Sequence, residues 1–253
     1  MTHHPEHSTT TVVVGAARGI GAAVARRAAL TSQRLILADV QGDEVADLAR
    51  ELRSDRVSTV AIPVDLSDAA SIDRLVEEAG DVHKVALVAG IMSVCHPLEM
   101  SFDTFESVLR INLIGTYLAA QGFAKRILDS SHDGSIVAVT STGGLSPVPY
   151  AAAYGASKAG LRLAMQVLAL ETMPRVRINT VCPGGTDTDM PRTYRKLRNL
   201  DEPADPLKDD SPRGRRNTVD EVAAVIDFLL SPESAAIALR DIVVDGGSMR
   251  GLG

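Results

Sequence analysis

The residues best suited to chemistry in this chain are a tyrosine and a lysine four positions apart. Tyr154 and Lys158 stand in the segment AYGASKAGL (153–161). On a helix, residues at positions i and i+4 share one face, so the two side chains are expected to lie together. A tyrosine has an ordinary pKa of about 10 and is a poor base at neutral pH, but a neighbouring cation lowers that pKa. The pair therefore predicts a general base for an alcohol proton, with an exposed helical pair as the alternative.

Two further polar residues are candidates for the same site. Ser141 ends a β-branched segment thirteen residues before Tyr154, where its hydroxyl could bind the substrate oxygen, or simply end the strand in a turn. Asn112 lies in RINLIGTYL (110–118), a predicted helix whose interior normally disfavours asparagine. Their order along the chain, together with the Tyr–Lys pair, favours a catalytic set over four unrelated residues.

A glycine-rich segment near the start of the chain predicts a phosphate site. GAARGIG (15–21) joins a predicted strand to a predicted helix. Glycines allow a tight turn and a close approach of the backbone to a pyrophosphate, and the helix N-terminus offers free N–H groups. The alternative is an ordinary strand–helix elbow. The candidate contacts in this segment are Gly15, Arg18, Gly19, Ile20 and Gly21.

Two aspartates at predicted strand ends complete the cofactor prediction. Asp39 follows Gly21 by eighteen residues and could accept hydrogen bonds from both adenosine ribose hydroxyls. Because it would also repel a 2′-phosphate, it favours NAD, although Arg18 leaves NADP open; the alternative role for Asp39 is a helix cap. Asp65 is the candidate partner of the adenine amino group, or another turn residue.

The pattern of the whole chain predicts one α/β domain. Short β-branched runs alternate with longer amphipathic stretches, which is typical of βαβ units in a single Rossmann-type, doubly wound, seven-stranded parallel sheet. Strands are predicted at 9–15, 34–39, 57–64, 85–90, 135–141, 176–182 and 241–247, and helices at 20–30, 44–53, 69–79, 102–128, 152–171 and 218–230.

Two segments stand outside this alternation. Residues 1–8, which include His3, His4 and His7, are expected to be a flexible tail rather than a metal site, and residues 9–253 form the catalytic domain. Residues 186–211 carry prolines and several charged residues after a predicted strand. An irregular stretch of this length inside a compact domain is usually functional, so we interpret it as a substrate lid.

Composition excludes several other classes of protein. The net charge of −6 disfavours nucleic acid, and the sequence contains neither an apolar run of membrane-spanning length nor a signal-peptide pattern. Cys95 and Cys182 lack the spacing of metal ligands, so neither a bound metal nor a disulfide framework is expected, which fits a cytoplasmic enzyme.

In combination, these motifs resemble the classical short-chain dehydrogenase/reductase family over nearly the whole chain. The residues that carry the resemblance are GAARGIG (15–21), Asp39, Asn112, Ser141, YGASK (154–158) and PGG (183–185). The resemblance implies hydride transfer between a nicotinamide cofactor and an alcohol, with Tyr154 taking the hydroxyl proton and Ser141 orienting that oxygen. It also implies that Lys158 holds the nicotinamide ribose and that Asn112 anchors a water linking Lys158 to solvent.

The resemblance implies further cofactor contacts and an assembly. The additional contacts are Ala89, Gly90, Pro183, Gly184 and Thr186, and the expected assembly is a homotetramer. The sequence departs from the family pattern at Val14, where threonine is usual, and at LVAG (87–90), where the family has an NNAG-like motif. Both departures concern the fine geometry of the site more than its reaction type.

The C-terminal third suggests a substrate class. PGGTDTDMPRTYR (183–195) and DIVVDGGSMRG (241–251) are similar to family members that oxidise a cyclohexadiene diol carboxylate with NAD. A carboxylate needs a cation, and arginine matches its geometry. Arg192 is the first candidate, ahead of Arg195, Lys196 and Arg198, although any of these could belong to a solvated loop. Met190 is the candidate apolar contact for the ring.

Three alternatives remain at this stage. The first is oxidation of the corresponding amino-substituted ring, in which an amino group replaces one hydroxyl. The second is reduction of a ketone or a 3-oxoacyl thioester, which Asp39 disfavours because such reductions often use NADPH. The third is a non-catalytic NAD sensor, which would have no need of the Ser141, Tyr154 and Lys158 set.

Overall fold

A seven-stranded parallel sheet forms the centre of the molecule. The computed structural model describes residues 9–190, 194, 196 and 211–249. The strands follow the spatial order β3-β2-β1-β4-β5-β6-β7, and every neighbouring pair is parallel. Their bounds are β1 Thr10–Val14, β2 Arg34–Asp39, β3 Ser58–Pro63, β4 Lys84–Leu87, β5 Gly134–Val139, β6 Val176–Pro183 and β7 Asp241–Val244.

Helices cover both faces of this sheet. Their bounds are α1 Gly19–Ala28, α2 Gly42–Leu52, α3 Ala69–Ala79, α4 Phe102–Leu109, α5 Thr116–Asp129, α6 Ala152–Thr172 and α7 Val219–Leu230. The predicted helix over 102–128 is in fact α4 and α5, joined by a π-helical turn over Arg110–Gly115. The other predicted helices are confirmed, with ends that differ by at most two residues.

The alternation of side chains along each strand creates two cores. Val12 and Ile36 point to the face covered by α3, α5 and α6, whereas Val13 and Leu37 point to the face covered by α1, α2 and α7. A parallel sheet buried on both faces requires apolar residues at consecutive positions, which explains the β-branched runs in the sequence. The predicted doubly wound architecture is confirmed.

The chain reverses its direction of winding at β1, which lies between β2 and β4. In sheets of this kind, ligands bind beyond the carboxyl ends of the strands at that reversal point. Candidate residues follow or end four strands at this edge: Gly15, Asp39, Gly90 and Ser141. The fold therefore collects them into one crevice.

Several boundaries differ from prediction at this same edge. β4 ends at Leu87 rather than at residue 90, because the amides of Val88 and Ala89 both donate to the Val14 carbonyl instead of continuing the ladder with β5. β5 ends at Val139 and β7 at Val244, each before a functional or glycine-rich turn. The tail 1–8 and most of the predicted lid lie outside the described residues. Within the described ranges, no helix combines the length and apolarity needed to cross a bilayer.

Candidate active site

The glycine turn is folded so tightly that side chains are excluded. Gly15 has a φ of +88°, and a Cβ there would lie 2.4 Å from the Ala89 amide nitrogen. A Cβ on Gly21 would lie 1.8 Å from the Gly15 carbonyl oxygen. Both positions thus require glycine, and the turn brings the ends of β1 and β4 into direct contact.

This turn leads into a helix N-terminus with no side-chain cap. α1 begins at Gly19, and Arg18, the residue before it, makes no side-chain capping hydrogen bond and is exposed. Ile20 packs against the core cluster on the α1 face of the sheet, which holds the start of the helix in place. Because the first N–H groups of a helix lack intrahelical partners, this end fits a pyrophosphate.

Asp39 lies at the end of β2, beside the glycine turn. Its carboxylate accepts hydrogen bonds from the backbone N–H of Ala17 at 3.0 Å and of Gln41 at 3.1 Å. It is not a helix cap, because the N-cap of α2 is Gln41. The structure thus places the carboxylate against the turn, where a cofactor ribose would approach.

Asp65 is committed to a local turn. One of its carboxylate oxygens accepts from the Ser67 hydroxyl at 2.7 Å and from the Ser67 backbone N–H at 2.8 Å. The Ser67 hydroxyl and backbone bonds hold the pKa of this carboxyl below its ordinary value. These contacts match the alternative interpretation of Asp65 as a turn residue, and the adenine contact stays a prediction.

Tyr154 and Lys158 lie on the buried face of α6. Tyr154 is 8% exposed and Lys158 is 3% exposed. The Lys158 Nζ donates a 2.8 Å hydrogen bond to the Val139 carbonyl, at the end of β5, and lies 5.9 Å from the centre of the Tyr154 ring. The helix and the strand end together fix the pair, as the four-residue spacing predicted.

The pKa of Tyr154 differs from the sequence-based expectation that the neighbouring Lys158 lowers it. Burial raises the pKa of Tyr154 above its ordinary value, and a hydrogen bond with Ser141 only partly opposes that effect. The Lys158 ammonium donates to the Val139 carbonyl, and the pKa of Tyr154 is raised rather than lowered as the sequence predicts. Burial also lowers the pKa of Lys158 to about 8, which leaves it mainly charged at neutral pH.

Ser141 follows β5 and faces Tyr154. Its side chain accepts a 3.0 Å hydrogen bond from the Gly143 N–H and caps a short 3₁₀ turn over Thr142–Gly144. The bond with Tyr154 brings both hydroxyl groups together, so a substrate oxygen could contact both. The predicted turn role is therefore present, and Ser141 lies beside Tyr154; its catalytic role stays a prediction.

Asn112 is fully buried in the π-helical turn between α4 and α5. Its amide donates to the Ile91 carbonyl at 2.8 Å and accepts from the Ile91 N–H at 2.8 Å. It also donates to the Ser157 hydroxyl at 3.1 Å. The widened turn gives an asparagine room inside a helix. Its side chain connects the loop after β4 to α6. The predicted water link to Lys158 stays a prediction.

Gly90 connects the cofactor side of the crevice to the catalytic side. A Cβ at this position would lie 3.2 Å from Lys158 Nζ and 3.3 Å from Asn112 Oδ1. Ala89 contacts the glycine turn through Gly15. The LVAG segment thus performs this packing without the asparagines that the family pattern places here.

The turn after β6 lies on the other side of the crevice. β6 ends at Pro183, the Gly184 N–H donates to the Val244 carbonyl, and the buried Thr186 hydroxyl donates to the Gly184 carbonyl at 3.0 Å. The methyl group of Thr188 lies 3.5 Å from where a Gly19 Cβ would stand. The two turns therefore face each other across the N-terminus of α1.

Only part of the predicted lid is described. Met190 is half-buried, Lys196 is exposed, and the Tyr194 hydroxyl donates to the Pro149 carbonyl at 3.1 Å. Tyr194 thus contacts the loop that leads into α6. Arg192, Arg195 and Arg198 lie outside the described residues, so the carboxylate contact stays a prediction.

Sequence reasoning missed the groups that support the catalytic pair. The Val139 carbonyl, which holds Lys158, carries no side-chain signal at all. Ser157 stands within YGASK, and its hydroxyl donates to the Tyr154 carbonyl at 2.7 Å. Cys182 is fully buried, with its Sγ 2.9 Å from the Thr140 hydroxyl, and its spacing from other residues gives no signal of this contact.

Comparison with known proteins agrees with this geometry. The profile of the family described as enoyl-(acyl carrier protein) reductase matches residues 15–249. The chain is 35% identical to D-threitol dehydrogenase of Mycolicibacterium smegmatis, over 93% of this chain and 91% of that protein. It is 29% identical to 2,3-dihydro-2,3-dihydroxybenzoate dehydrogenase of Bacillus subtilis, over 95% of each protein. A short-chain type dehydrogenase/reductase from Mycobacterium marinum superposes with a TM-score of 0.86 at 26% identity, over 96% of each chain.

Proposed function

Because this chain belongs to the short-chain dehydrogenase/reductase family of NAD(P)-dependent oxidoreductases, we propose that it oxidises a secondary alcohol of a vicinal diol. The substrate we propose is 2,3-dihydro-2,3-dihydroxybenzoate, which is oxidised and then aromatises to 2,3-dihydroxybenzoate in catechol siderophore-type biosynthesis. The observation that carries the reaction type is the grouping of Ser141, Tyr154 and Lys158 beside Gly90.

We assign a separate role in this reaction to the glycine turn and to each residue of the proposed catalytic set. A nicotinamide cofactor would supply the acceptor for the hydride that leaves the carbinol carbon. Gly15 and Gly21, where a Cβ has no room, fit the close approach of its pyrophosphate. Tyr154 takes the hydroxyl proton as the phenolate, and the Ser141 hydroxyl donates to the same substrate oxygen. The Lys158 ammonium favours the phenolate electrostatically.

We propose NAD rather than NADP as the cofactor. The Asp39 carboxylate, held against the Ala17 amide, would stand close to a 2′-phosphate and repel it. Replacing Asp39 by serine is expected to narrow the preference for NAD over NADP by at least tenfold in kcat/KM. An unchanged preference in this variant would show that Asp39 does not select the cofactor.

The substrate assignment rests on two relatives that point to different diols. The dihydroxybenzoate relative supports a cyclic carboxylate, and the D-threitol relative supports an acyclic polyol as the second candidate. NADH absorbance would be followed with 2,3-dihydro-2,3-dihydroxybenzoate, its trans-2,3-dihydro-3-hydroxyanthranilate analogue and D-threitol, each with NAD or NADP. The highest kcat/KM with the dihydroxybenzoate substrate is expected; a higher value with either of the others reassigns the substrate.

A substitution of Arg192 distinguishes the cyclic carboxylate from D-threitol as the substrate. If its guanidinium binds the carboxylate, Arg192→Ala should raise the KM for the cyclic carboxylate by about tenfold to a hundredfold, the usual range for a charged hydrogen bond. The same variant should leave D-threitol turnover unchanged, since that substrate has no carboxylate. An equal loss of kcat/KM with both substrates would show that Arg192 does not bind the carboxylate. Lys196→Ala tests another candidate cation: a KM increase confined to the carboxylate substrate in Lys196→Ala, and absent in Arg192→Ala, would move the carboxylate contact to Lys196.

We also propose that the enzyme is a homotetramer. Leu163, Val167 and Leu170 lie on one face of α6 at helical spacing, and each is more than half exposed. Exposed apolar side chains arranged on one face favour burial against another subunit, commonly across a two-fold axis.

A further inference from the structure

Three titratable side chains form a cluster at the amino end of the sheet, far from the catalytic residues. Asp81 and His83 lie between α3 and β4, and His132 lies between α5 and β5. One potential ligand atom from each residue falls within 4.8 Å of those of the other two. β5, with six residues at about 3.3 Å each, separates His132 from Ser141 by about 20 Å. The proposed reaction uses none of the three.

Oxygen acceptors face both ring nitrogens of His132. Its Nδ1 lies 3.1 Å from the Asp133 carbonyl oxygen, and its Nε2 lies 2.7 Å from an Asp81 carboxylate oxygen. Both partners are oxygen acceptors, and at 2.7 Å a proton joins Nε2 to the carboxylate. A metal ion bound here would replace that proton and move the two atoms apart. A backbone carbonyl on Nδ1 with Nε2 directed outward is also the usual arrangement of a metal-binding histidine.

His83 is the third candidate ligand, and its Nδ1 accepts a 3.3 Å hydrogen bond from the Thr10 N–H. Its ring stacks on that of His132 with centroids 3.7 Å apart and an angle of 8° between the planes. Its backbone N–H donates to the Thr10 carbonyl, and its carbonyl accepts from Ser135, so its position is fixed between β1 and β5. Lone pairs of stacked imidazoles run parallel, and one ring must therefore turn about its side-chain torsions to share an ion with the other.

We propose that Asp81, His83 and His132 bind a divalent transition-metal ion of the zinc class. Two imidazole nitrogens and one carboxylate oxygen suit Zn²⁺ and its neighbours in the first transition row, and they do not suit Mg²⁺ or Ca²⁺, which prefer all-oxygen sites. Three protein ligands leave a fourth position for water. Asp81 is 65% exposed and His132 is 22% exposed as side chains, so an ion can reach the site from solvent.

Such an ion would act as a structural link. It would join the loops before β4 and β5, next to the start of β1, and it would bind the folded chain in preference to the unfolded one. At a Zn²⁺ concentration 100 times the dissociation constant, the melting temperature should rise by roughly 5–10 °C. Mg²⁺ at the same concentration should leave it unchanged.

The test is zinc titration of the chelator-treated full chain, by calorimetry and by melting temperature. One site per chain is expected. His132→Gln, His83→Gln and Asp81→Asn should each weaken binding at least tenfold while matching the wild-type melting temperature in chelator, which shows that they fold. His96→Gln is the matched control, because His96 is exposed at the opposite edge of the sheet.

The N-terminal histidines are the competing source of zinc affinity. His3, His4 and His7 lie outside the described residues, in a segment that enters the fold at β1, beside His83. A full-length variant with all three replaced by alanine should keep the site. Loss of binding in that variant together with retention in His132→Gln, or no saturable binding at all, would overturn the proposal.

Discussion

At the scale of single residues, the candidate chemistry depends on two buried groups whose environments oppose their charged forms. Burial raises the pKa of Tyr154 and lowers the pKa of Lys158 to about 8. A phenolate therefore forms only when positive charge stands close to it. Lys158 supplies one such charge, held at the Val139 carbonyl, and an oxidised nicotinamide ring carries the other.

The first prediction concerns Tyr154. Tyr154→Phe keeps the ring that packs in the site but removes the acid–base hydroxyl, so kcat should fall by about 10²–10⁴-fold, the usual contribution of a general base. The dissociation constant for NAD, measured by fluorescence titration, should change less than threefold. Retained turnover would exclude Tyr154 as the base, and a signalling output that survives would support the sensor alternative.

The second prediction concerns the cost of burying Lys158. Its folded pKa of about 8 lies below its ordinary value of 10.5, so the unfolded chain holds this proton more tightly. The resulting destabilisation is complete below pH 8 and disappears as the pH rises to 10.5. Lys158→Met should therefore stabilise the protein by about 1–3 kcal/mol at pH 7, less near pH 10, while abolishing turnover.

Chemical denaturation at several pH values would measure this effect. Lys125→Met is the matched control, because Lys125 is exposed on α5 and its replacement should not change the pH dependence of the unfolding free energy. A Lys158→Met protein whose stability relative to wild type is independent of pH would contradict the depressed pKa.

At the scale of elements, the site is assembled by the ends of strands and the starts of helices. The glycine turn requires two positions without a Cβ, and the π-helical turn makes room for Asn112 to reach Ile91. π-helical turns occur mostly as single bulges, often at functional sites, and here the bulge positions the loop that carries Gly90.

The third prediction compares a glycine substitution inside the glycine turn with one outside it. Gly21→Ala places a Cβ 1.8 Å from the Gly15 carbonyl oxygen, so the turn must move and NAD affinity should fall at least tenfold, with a loss of stability. Gly42→Ala is the control, since its new Cβ would make an ordinary 3.4 Å contact with Pro63. Titration with NAD and thermal melting would give the NAD dissociation constant and the melting temperature of both variants. Equal changes in the two variants would show that the turn has no special requirement for glycine.

At the scale of the whole molecule, the sheet separates two regions. The carboxyl ends of the strands carry the crevice, and the amino ends carry the cluster of Asp81, His83 and His132. The outer face of α6 carries exposed apolar side chains, while its inner face holds Tyr154 and Lys158. Contact between subunits through α6 would therefore stiffen the helix that positions the catalytic pair.

The fourth prediction concerns that outer face. Val167→Glu places a charge in the middle of the apolar stripe and should shift the protein from a tetramer to smaller species, because burying an unpaired charge is unfavourable. Light scattering coupled to size exclusion would measure the mass. Glu171→Gln, at an exposed position on the same helix, is the control. A wild-type protein that runs as a monomer would end the tetramer proposal.

The sequence by itself determined the fold class and the members of the candidate site. Alternating β-branched and amphipathic segments predict a parallel sheet because a strand buried on both faces must be apolar throughout. Gly15, Gly21, Asp39, Ser141, Tyr154 and Lys158 were recognisable because their types and spacing depend on local geometry: a tight turn, a strand end, one turn of helix.

Only the tertiary structure decided how these residues interact. The raised pKa of Tyr154 follows from burial, which is a property of the packed molecule rather than of residue spacing. The π-helical turn around Asn112 follows from its long-range bonds to Ile91 and Ser157. The meeting of His83 with His132, residues far apart in sequence, arises because their strands are neighbours in the sheet, and pairing between distant strands leaves no local signal.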